Sequence, residues 1–127
     1  MFDNAYRGRR VLVTGHTGFK GFWLTQWLLA LGADVAGLAL DPPTEPSGFK
    51  ALGLQERITD FRADIRDRDA LIGAVQEFRP EAVFHLAAQS LVRRSYADPA
   101  ATFESNALGT MNVCEAARRT DSIQALV

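Results

Sequence analysis

Short apolar runs recur along the chain, separated by longer stretches in which hydrophobic residues have helical spacing. The runs are apolar and partly β-branched, as buried strands are. They lie at residues 10–14, 34–40, 57–63, 81–86 and 124–127. The third run alternates less cleanly than the others, so we expect it at an edge of the sheet.

The stretches between the runs carry apolar residues at intervals of three or four, which is the spacing of one helix face. Residues 19–31 form the first long predicted helix. Asp67 caps a second helix that Pro80 stops, and Asp98 followed by proline starts a third that runs to Arg119. One stripe of the third helix carries Phe103, Ala107, Met111 and Cys114. This alternation predicts an α/β fold, a doubly wound parallel sheet with helices on both faces.

The composition fits one globular domain. The chain has 127 residues, of which 47% are hydrophobic and 23% are charged, and its net charge is −1. This balance argues against a nucleic-acid partner and a basic membrane anchor. The single cysteine, Cys114, has no internal partner and no metal-ligand spacing around it. We expect a cytoplasmic protein without a metal site.

The segment TGHTGFKG joins the first strand to the first long helix. Gly15 allows a tight turn, Gly18 lets the main chain approach a phosphate, and Gly21 lets the helix pack against the strand. The free N–H groups of the first helical turn then face a pyrophosphate. The spacing G-x-x-G-x-x-G differs from the commonest dinucleotide pattern and is not a P-loop. The turn predicts a dinucleotide site; the alternative is a purely structural turn.

Asp41 follows the second strand, twenty residues after Gly21. A carboxylate there accepts both hydroxyls of an adenosine ribose and repels a 2′-phosphate, which favours NAD over NADP. No arginine stands at position 42 or 43 to reverse that preference. The alternative is a loop aspartate before prolines. We expect His16 to be a hydrogen-bonded structural residue, and Lys20 either to contact phosphate or substrate or to be solvated.

A polar cluster follows the fourth strand. Ala87 and Ala88 are small enough for close approach to a cofactor, and Gln89, Arg93 and Tyr96 follow them. The carboxyl ends of the first and fourth strands flank the crevice of a doubly wound sheet, so this loop is expected to face the glycine turn. An arginine here suits a phosphorylated substrate, although a solvated arginine is the alternative.

The motifs together resemble the extended short-chain dehydrogenases/reductases, the family of NAD-dependent epimerases and dehydratases. The matching residues are TGHTGFKG (14–21), Asp41, the Asp64-Ile65 pair, HLAAQ (85–89) and SNALGT (105–110). The resemblance covers essentially the whole chain and is strongest to nucleotide-sugar 4,6-dehydratases. It implies a Rossmann domain with tightly held NAD, and a homodimer that pairs through long helices such as the one starting at Asp98.

The resemblance also implies a role for individual residues. The cofactor would be bound by Gly15, Thr17, Gly18, Phe19, Lys20, Gly21, Asp41, Asp64, Ile65, Leu86, Ala87 and Ala88. Among these, the main chain of residues 17–20 would hold pyrophosphate, and residues 64 and 65 would contact adenine. The alternative for Asp64 is a turn that precedes a helix. The sugar nucleotide would be approached by Gln89, Arg93 and Tyr96. Asn106 would support the active site from the long helix.

The implied reaction removes hydride from C4 of the sugar, eliminates water across C5 and C6, and returns hydride to C6, with CDP-glucose as the expected substrate. The family's catalytic motif is Tyr-x-x-x-Lys, and neither Tyr6 nor Tyr96, the only tyrosines, has a lysine four residues on. We therefore expect residues 1–127 to be the N-terminal NAD-binding part, cut at the fifth strand, without the catalytic segment or the substrate domain. The alternatives are a fragment of a related epimerase or reductase, and a non-catalytic NAD-binding module.

Overall fold

A five-stranded parallel sheet forms the centre of the molecule. The computed structural model describes all 127 residues. The strands are β1 (Arg10–Thr14), β2 (Asp34–Ala39), β3 (Thr59–Arg62), β4 (Ala82–His85) and β5 (Ala125–Leu126). Their order in the sheet is β3-β2-β1-β4-β5, and every neighbouring pair is parallel. The predicted doubly wound sheet is confirmed, with β3 at an edge. The strand order reverses at β1, so a crevice lies beyond the carboxyl ends of β1 and β4.

Helices cover both faces of the sheet. They are α1 (Phe19–Ala30), α2 (Gly48–Ala51), α3 (Arg68–Phe78), α4 (Val92–Ala97), α5 (Pro99–Phe103), a π-helical segment (Glu104–Leu108) and α6 (Gly109–Arg118). Short 3₁₀ turns lie at Phe2–Asn4 and Leu54–Glu56. None of these helices combines the length and the apolar character needed to cross a membrane.

Alternate residues of β1 supply the two hydrophobic cores, because successive strand residues point to opposite faces. Val11 and Val13 pack with Leu28 of α1 on one face. Leu12 packs on the other face with Leu71 of α3 and Val113 of α6. Val11, Leu12 and Val13 have no solvent exposure, so the strand that carries the glycine turn is anchored from both sides.

The helix starts follow the predicted capping. The Asp67 carboxylate accepts a hydrogen bond from the Ala70 N–H at 3.1 Å. The Asp98 carboxylate accepts one from the Ala101 N–H at 3.0 Å, and the proline after Asp98 occupies the first turn of α5. Each cap satisfies an N–H group that has no partner within its helix.

The long helix from Asp98 differs from its prediction in continuity and in which face is buried. It is divided into α5, the π-helical segment and α6, and α6 ends at Arg118. Its predicted stripe of Phe103, Ala107, Met111 and Cys114 is exposed, and α6 instead buries Gly109, Asn112, Val113 and Ala116. Helix α4 was not predicted, because its sequence VRRSYA buries no residue and so shows no apolar face.

Candidate dinucleotide-binding site

The glycine turn between β1 and α1 holds main-chain N–H groups at the carboxyl end of the sheet. Gly15 has a φ of +75°, and a β-carbon there would lie 2.8 Å from the main-chain nitrogen of Ala87. A β-carbon at Gly21 would overlap the Gly15 carbonyl, so this glycine packs α1 against the turn that follows β1. No side chain caps α1 at Gly18, and the N–H groups of the first turn, where Phe19 and Lys20 lie, have no partner in the helix.

Thr17 fixes the turn to the neighbouring strand. Its hydroxyl is buried and donates a hydrogen bond to the main-chain oxygen of Leu40 at 3.0 Å. Leu40 directly follows β2, and Asp41 comes next. The predicted pyrophosphate turn and the predicted ribose carboxylate are therefore held side by side.

A hydrogen-bond relay places the loop after β4 against the glycine turn. The Thr14 hydroxyl accepts from the N–H groups of Leu86 and Ala87, both at 3.1 Å. With both acceptor positions used, it donates to His85 Nδ1 at 2.7 Å. His85 is thereby fixed as the tautomer that donates from Nε2 to the Thr110 hydroxyl of α6, at 2.9 Å. The expected meeting of this loop with the turn is confirmed.

Asn106, in the π-helical segment, forms two hydrogen bonds with the main chain of Gln89 in the loop after β4. Its side-chain oxygen accepts from the Gln89 N–H at 2.7 Å, and its amide donates to the Gln89 carbonyl at 2.9 Å. The main-chain oxygen of Asn106 accepts from the Thr110 hydroxyl at 2.7 Å. The π-helical turn thus coincides with the position at which the Asn106 side chain binds the loop after β4, and such turns frequently occur at functional sites.

An arginine from β3 lies beside the predicted ribose carboxylate. Nη1 of Arg62 is 3.2 Å from Oδ1 of Asp41, and Nε and Nη2 of Arg62 bind the Asp60 carboxylate. The sequence has no arginine at position 42 or 43, directly after Asp41. Parallel pairing of Ala39 with Arg62 brings this one in from 21 residues away, a proximity that short-range spacing does not reveal.

His16 is a buried structural residue, as predicted. Its Nε2 lies 2.8 Å from Oδ1 of Asp60, and because a carboxylate only accepts, the imidazole donates. Burial lowers the pKa of His16, and the hydrogen bond to Asp60 opposes that shift only partly. The ring lies over Gly37, where a β-carbon would overlap it. His16 therefore links the glycine turn to the Asp60–Arg62 pair.

The predicted adenine residues lie just beyond the end of β3. Ile65 is buried, and it contacts Gly109 of α6 so closely that a β-carbon at Gly109 would lie 2.5 Å from it. The Arg66 guanidinium hydrogen-bonds the Asp64 carboxylate and holds its pKa below the usual range. Asp64 therefore remains ionised and acts only as an acceptor.

The predicted substrate residues differ in how firmly they are held. Gln89 bonds the Thr102 hydroxyl and both main-chain groups of Leu91. Arg93 and Tyr96 lie on α4, and both are exposed. The relay thus extends to Gln89, whereas the next two candidates present free side chains.

Comparison with known proteins agrees with this geometry. The family model described as GDP-mannose 4,6 dehydratase matches residues 12–126. The chain belongs to this family. It is therefore an extended short-chain dehydrogenase/reductase of the epimerase and dehydratase type, as the glycine turn and the loop after β4 predicted.

The relatives and solved structures that the chain resembles include both dehydratases and epimerases. The chain is 48% identical to CDP-glucose 4,6-dehydratase of Salmonella typhimurium strain LT2, over all of this chain and 36% of that protein. The UDP-glucose 4-epimerase of Thermus thermophilus, solved in complex with NAD, is 38% identical with a TM-score of 0.80, over 92% of this chain and 36% of that chain. UDP-glucose 4-epimerase from Brucella ovis, also with NAD, has 28% identity and a TM-score of 0.77, over 91% of this chain and 34% of that chain. The chain thus spans about a third of the length of these relatives.

Proposed function

We propose that this chain binds NAD as the cofactor-binding portion of a nucleotide-sugar 4,6-dehydratase. The observation that carries the proposal is the joining of three elements at one crevice. The Gly15–Gly21 turn offers unpartnered N–H groups, Asp41 offers a carboxylate, and the loop at residues 86–88 closes the opposite side. The Thermus and Brucella relatives, whose structures contain NAD, support the same choice of cofactor.

The residues present fit a dinucleotide. A β-carbon at Gly18 would meet only the Gly15 carbonyl, at 3.4 Å, so the outer side of this residue is open to a ligand. In our proposal the pyrophosphate is held by the main chain of residues 17–20, with the positive end of α1 behind it. Asp41 accepts the adenosine ribose hydroxyls, Asp64 and Ile65 line the adenine, and residues 86–88 line the rest of the cofactor. Bound there, NAD would supply a hydride acceptor.

CDP-glucose is the substrate we propose. The identity of 48% to the Salmonella CDP-glucose 4,6-dehydratase supports it. Gln89, Arg93 and Tyr96 would contact the sugar nucleotide, and Asn106 would hold Gln89 in place, which its two hydrogen bonds to the Gln89 main chain support. A UDP-glucose epimerase is the second candidate, favoured by the similarity to the Thermus structure. Residues 1–127 contain no Tyr-x-x-x-Lys motif, so we propose that they do not turn over substrate by themselves.

We propose that the chain forms a homodimer and that it lies in the cytoplasm. The homodimer is supported by the stripe of large apolar side chains on α5 and α6, where Phe103 is 71% exposed and Met111 is 54% exposed. A second copy that presents the same stripe would cover both sets of side chains.

Replacing Gly18 with alanine tests the proposed pyrophosphate site with little effect on folding. The backbone of Gly18 is extended, with a φ of −80°, which any residue adopts, and the added methyl group has room. The methyl group would separate the pyrophosphate from the main-chain N–H groups. We expect NAD affinity, measured by calorimetry, to fall by about tenfold or more.

Gly73→Ala is the matched control. Gly73 lies on the exposed side of α3, and a β-carbon there has nothing within 4 Å. This variant should keep its NAD affinity and unfold at the same or a slightly higher temperature. Unchanged NAD affinity in a folded Gly18→Ala variant would contradict the proposed pyrophosphate site.

A further inference from the structure

Arg62 is the most firmly held charged group beside the proposed ribose site. Its guanidinium makes a two-point contact with Asp60, at 2.8 Å from Nη2 to Oδ2 and 3.1 Å from Nε to Oδ1. It also lies 5.2 Å from the centre of the ring of Phe49, which is fully buried. These contacts fix Nε and Nη2 and leave Nη1 directed at the end of β2, where it reaches Leu40 O and Asp41.

Asp41 is the more exposed member of its ion pair with Arg62. Its side chain is 92% exposed, whereas that of Arg62 is 32% exposed. The contact with Nη1 of Arg62, at 3.2 Å, is the only ion pair that Asp41 makes. When the carboxylate turns to ribose hydroxyls, the guanidinium stays where Asp60 and Phe49 hold it. A cation then faces the space next to the ribose.

We propose that Arg62 is a second determinant of cofactor specificity, acting at the ribose 2′ position in opposition to Asp41. The inference rests on the proposed function, because it takes Asp41 as the ribose carboxylate. Asp41 repels the 2′-phosphate of NADP, and the Arg62 guanidinium attracts it through Nη1. The site holds two carboxylates and one guanidinium, so NAD remains the preferred cofactor. Arg62 determines how strongly the site binds NADP relative to NAD.

The test is a calorimetric titration of NAD and NADP into the whole chain and five variants. The variants are Arg62→Gln, Arg62→Lys, Asp41→Asn, the Asp41→Asn/Arg62→Gln double variant, and Arg118→Gln as a matched control. Arg118 is an exposed arginine of α6 that pairs with Glu115, so its replacement removes the same charge from another part of the molecule. Thermal unfolding establishes that each variant is folded.

We expect Arg62→Gln to lower the affinity for NADP by about tenfold or more and the affinity for NAD by less than about threefold. The preference for NAD over NADP would therefore increase. Arg62→Lys keeps the charge without the planar fork, and its NADP affinity should lie between those of the wild type and Arg62→Gln. Asp41→Asn should strengthen NADP binding, and the added Arg62→Gln change should remove that gain. Arg118→Gln should change neither affinity.

Three results would overturn the role of Arg62. The first is an equal loss of NAD affinity and NADP affinity in both Arg62 variants. The second is a gain of NADP affinity in Asp41→Asn that persists in the Asp41→Asn/Arg62→Gln double variant. The third is NADP binding that stays undetectable in Asp41→Asn. If the folded wild-type chain binds neither dinucleotide, the proposed function fails and this inference fails with it. If the chain binds NAD but the ratio of its NAD affinity to its NADP affinity is unchanged in the Arg62 variants, this inference alone is contradicted.

Discussion

Single residues at the crevice divide into those that short-range sequence patterns reveal and those that only the fold brings together. Gly15 and Asp41 are recognisable because a glycine spacing and a strand end give each of them a local context. Arg62 has no such signal, and the HLAAQ motif that contains His85 does not reveal which partners its side chain bonds. Arg62 reaches Asp41 through the register of β2 with β3, and His85 meets Thr14 through the pairing of β4 with β1. The contacts of Arg62 and His85 therefore need the tertiary structure to be found, whereas Thr17 and Asn106, which also position the site, lie in motifs that the sequence shows.

The two histidines predict how stability depends on pH. Burial lowers the pKa of both His16 and His85 from a usual value of 6.5, so the folded chain binds fewer protons than the unfolded chain just below pH 6.5. Their contribution is complete above about pH 6.5 and is lost as the pH falls towards the lower folded values. We expect the free energy of unfolding in urea to decrease between pH 6.5 and 5.

His85→Gln separates the two contributions, because His16 is the only other histidine in the chain. The variant should show a weaker pH dependence in that interval, although its stability at pH 7.5 is lower because the relay to Thr14 is altered. Carboxylates with a lowered pKa, such as Asp64, affect stability only at lower pH, near and below their usual value of 3.8. An unchanged slope between pH 6.5 and 5 in His85→Gln would contradict this assignment.

Elements with a strong apolar period were predictable, and elements shaped by polar contacts were not. The bounds of β1 and the start of α1 agree with the sequence prediction, because buried runs and glycine define them. The helix from Asp98 was predicted as one unbroken element. Its π-helical turn arises where the Asn106 side chain grips Gln89, 17 residues away, and no local pattern encodes that contact. Its inward face was also mistaken, since Val113 and the small residues Gly109 and Ala116 face the core.

The exposed stripe of α5 and α6 predicts self-association. Met111→Glu places a charge in the centre of the stripe, where a second copy would bury it, so the dimer should dissociate to monomers. Gln55→Glu adds the same charge at an exposed position in the Leu54–Glu56 turn and should leave the dimer intact. Sedimentation equilibrium measures both. A wild-type chain that is monomeric at high micromolar concentration, or a Met111→Glu variant that is still dimeric, would contradict the pairing.

At the scale of the whole molecule, the fold brings the candidate dinucleotide-binding residues together. Its sheet order directs the glycine turn, Asp41 and the loop after β4 to one crevice, and the alternation of strands and helices in the sequence predicted that arrangement. The substrate contacts that we propose involve Arg93 and Tyr96, which are exposed in this structure. The fold and the placing of the candidate site therefore follow from the sequence pattern, and the choice of nucleotide sugar does not.

Calorimetric titration of the whole chain with NAD and with ADP-ribose tests the central claim most directly. Most of the contacts we propose lie on the adenosine and the pyrophosphate, and only residues 86–88 would line the rest of the cofactor. NAD should therefore bind saturably at one site per chain, and ADP-ribose should retain most of its affinity. Failure of a folded chain to bind either molecule would contradict the assignment of this crevice as a dinucleotide site.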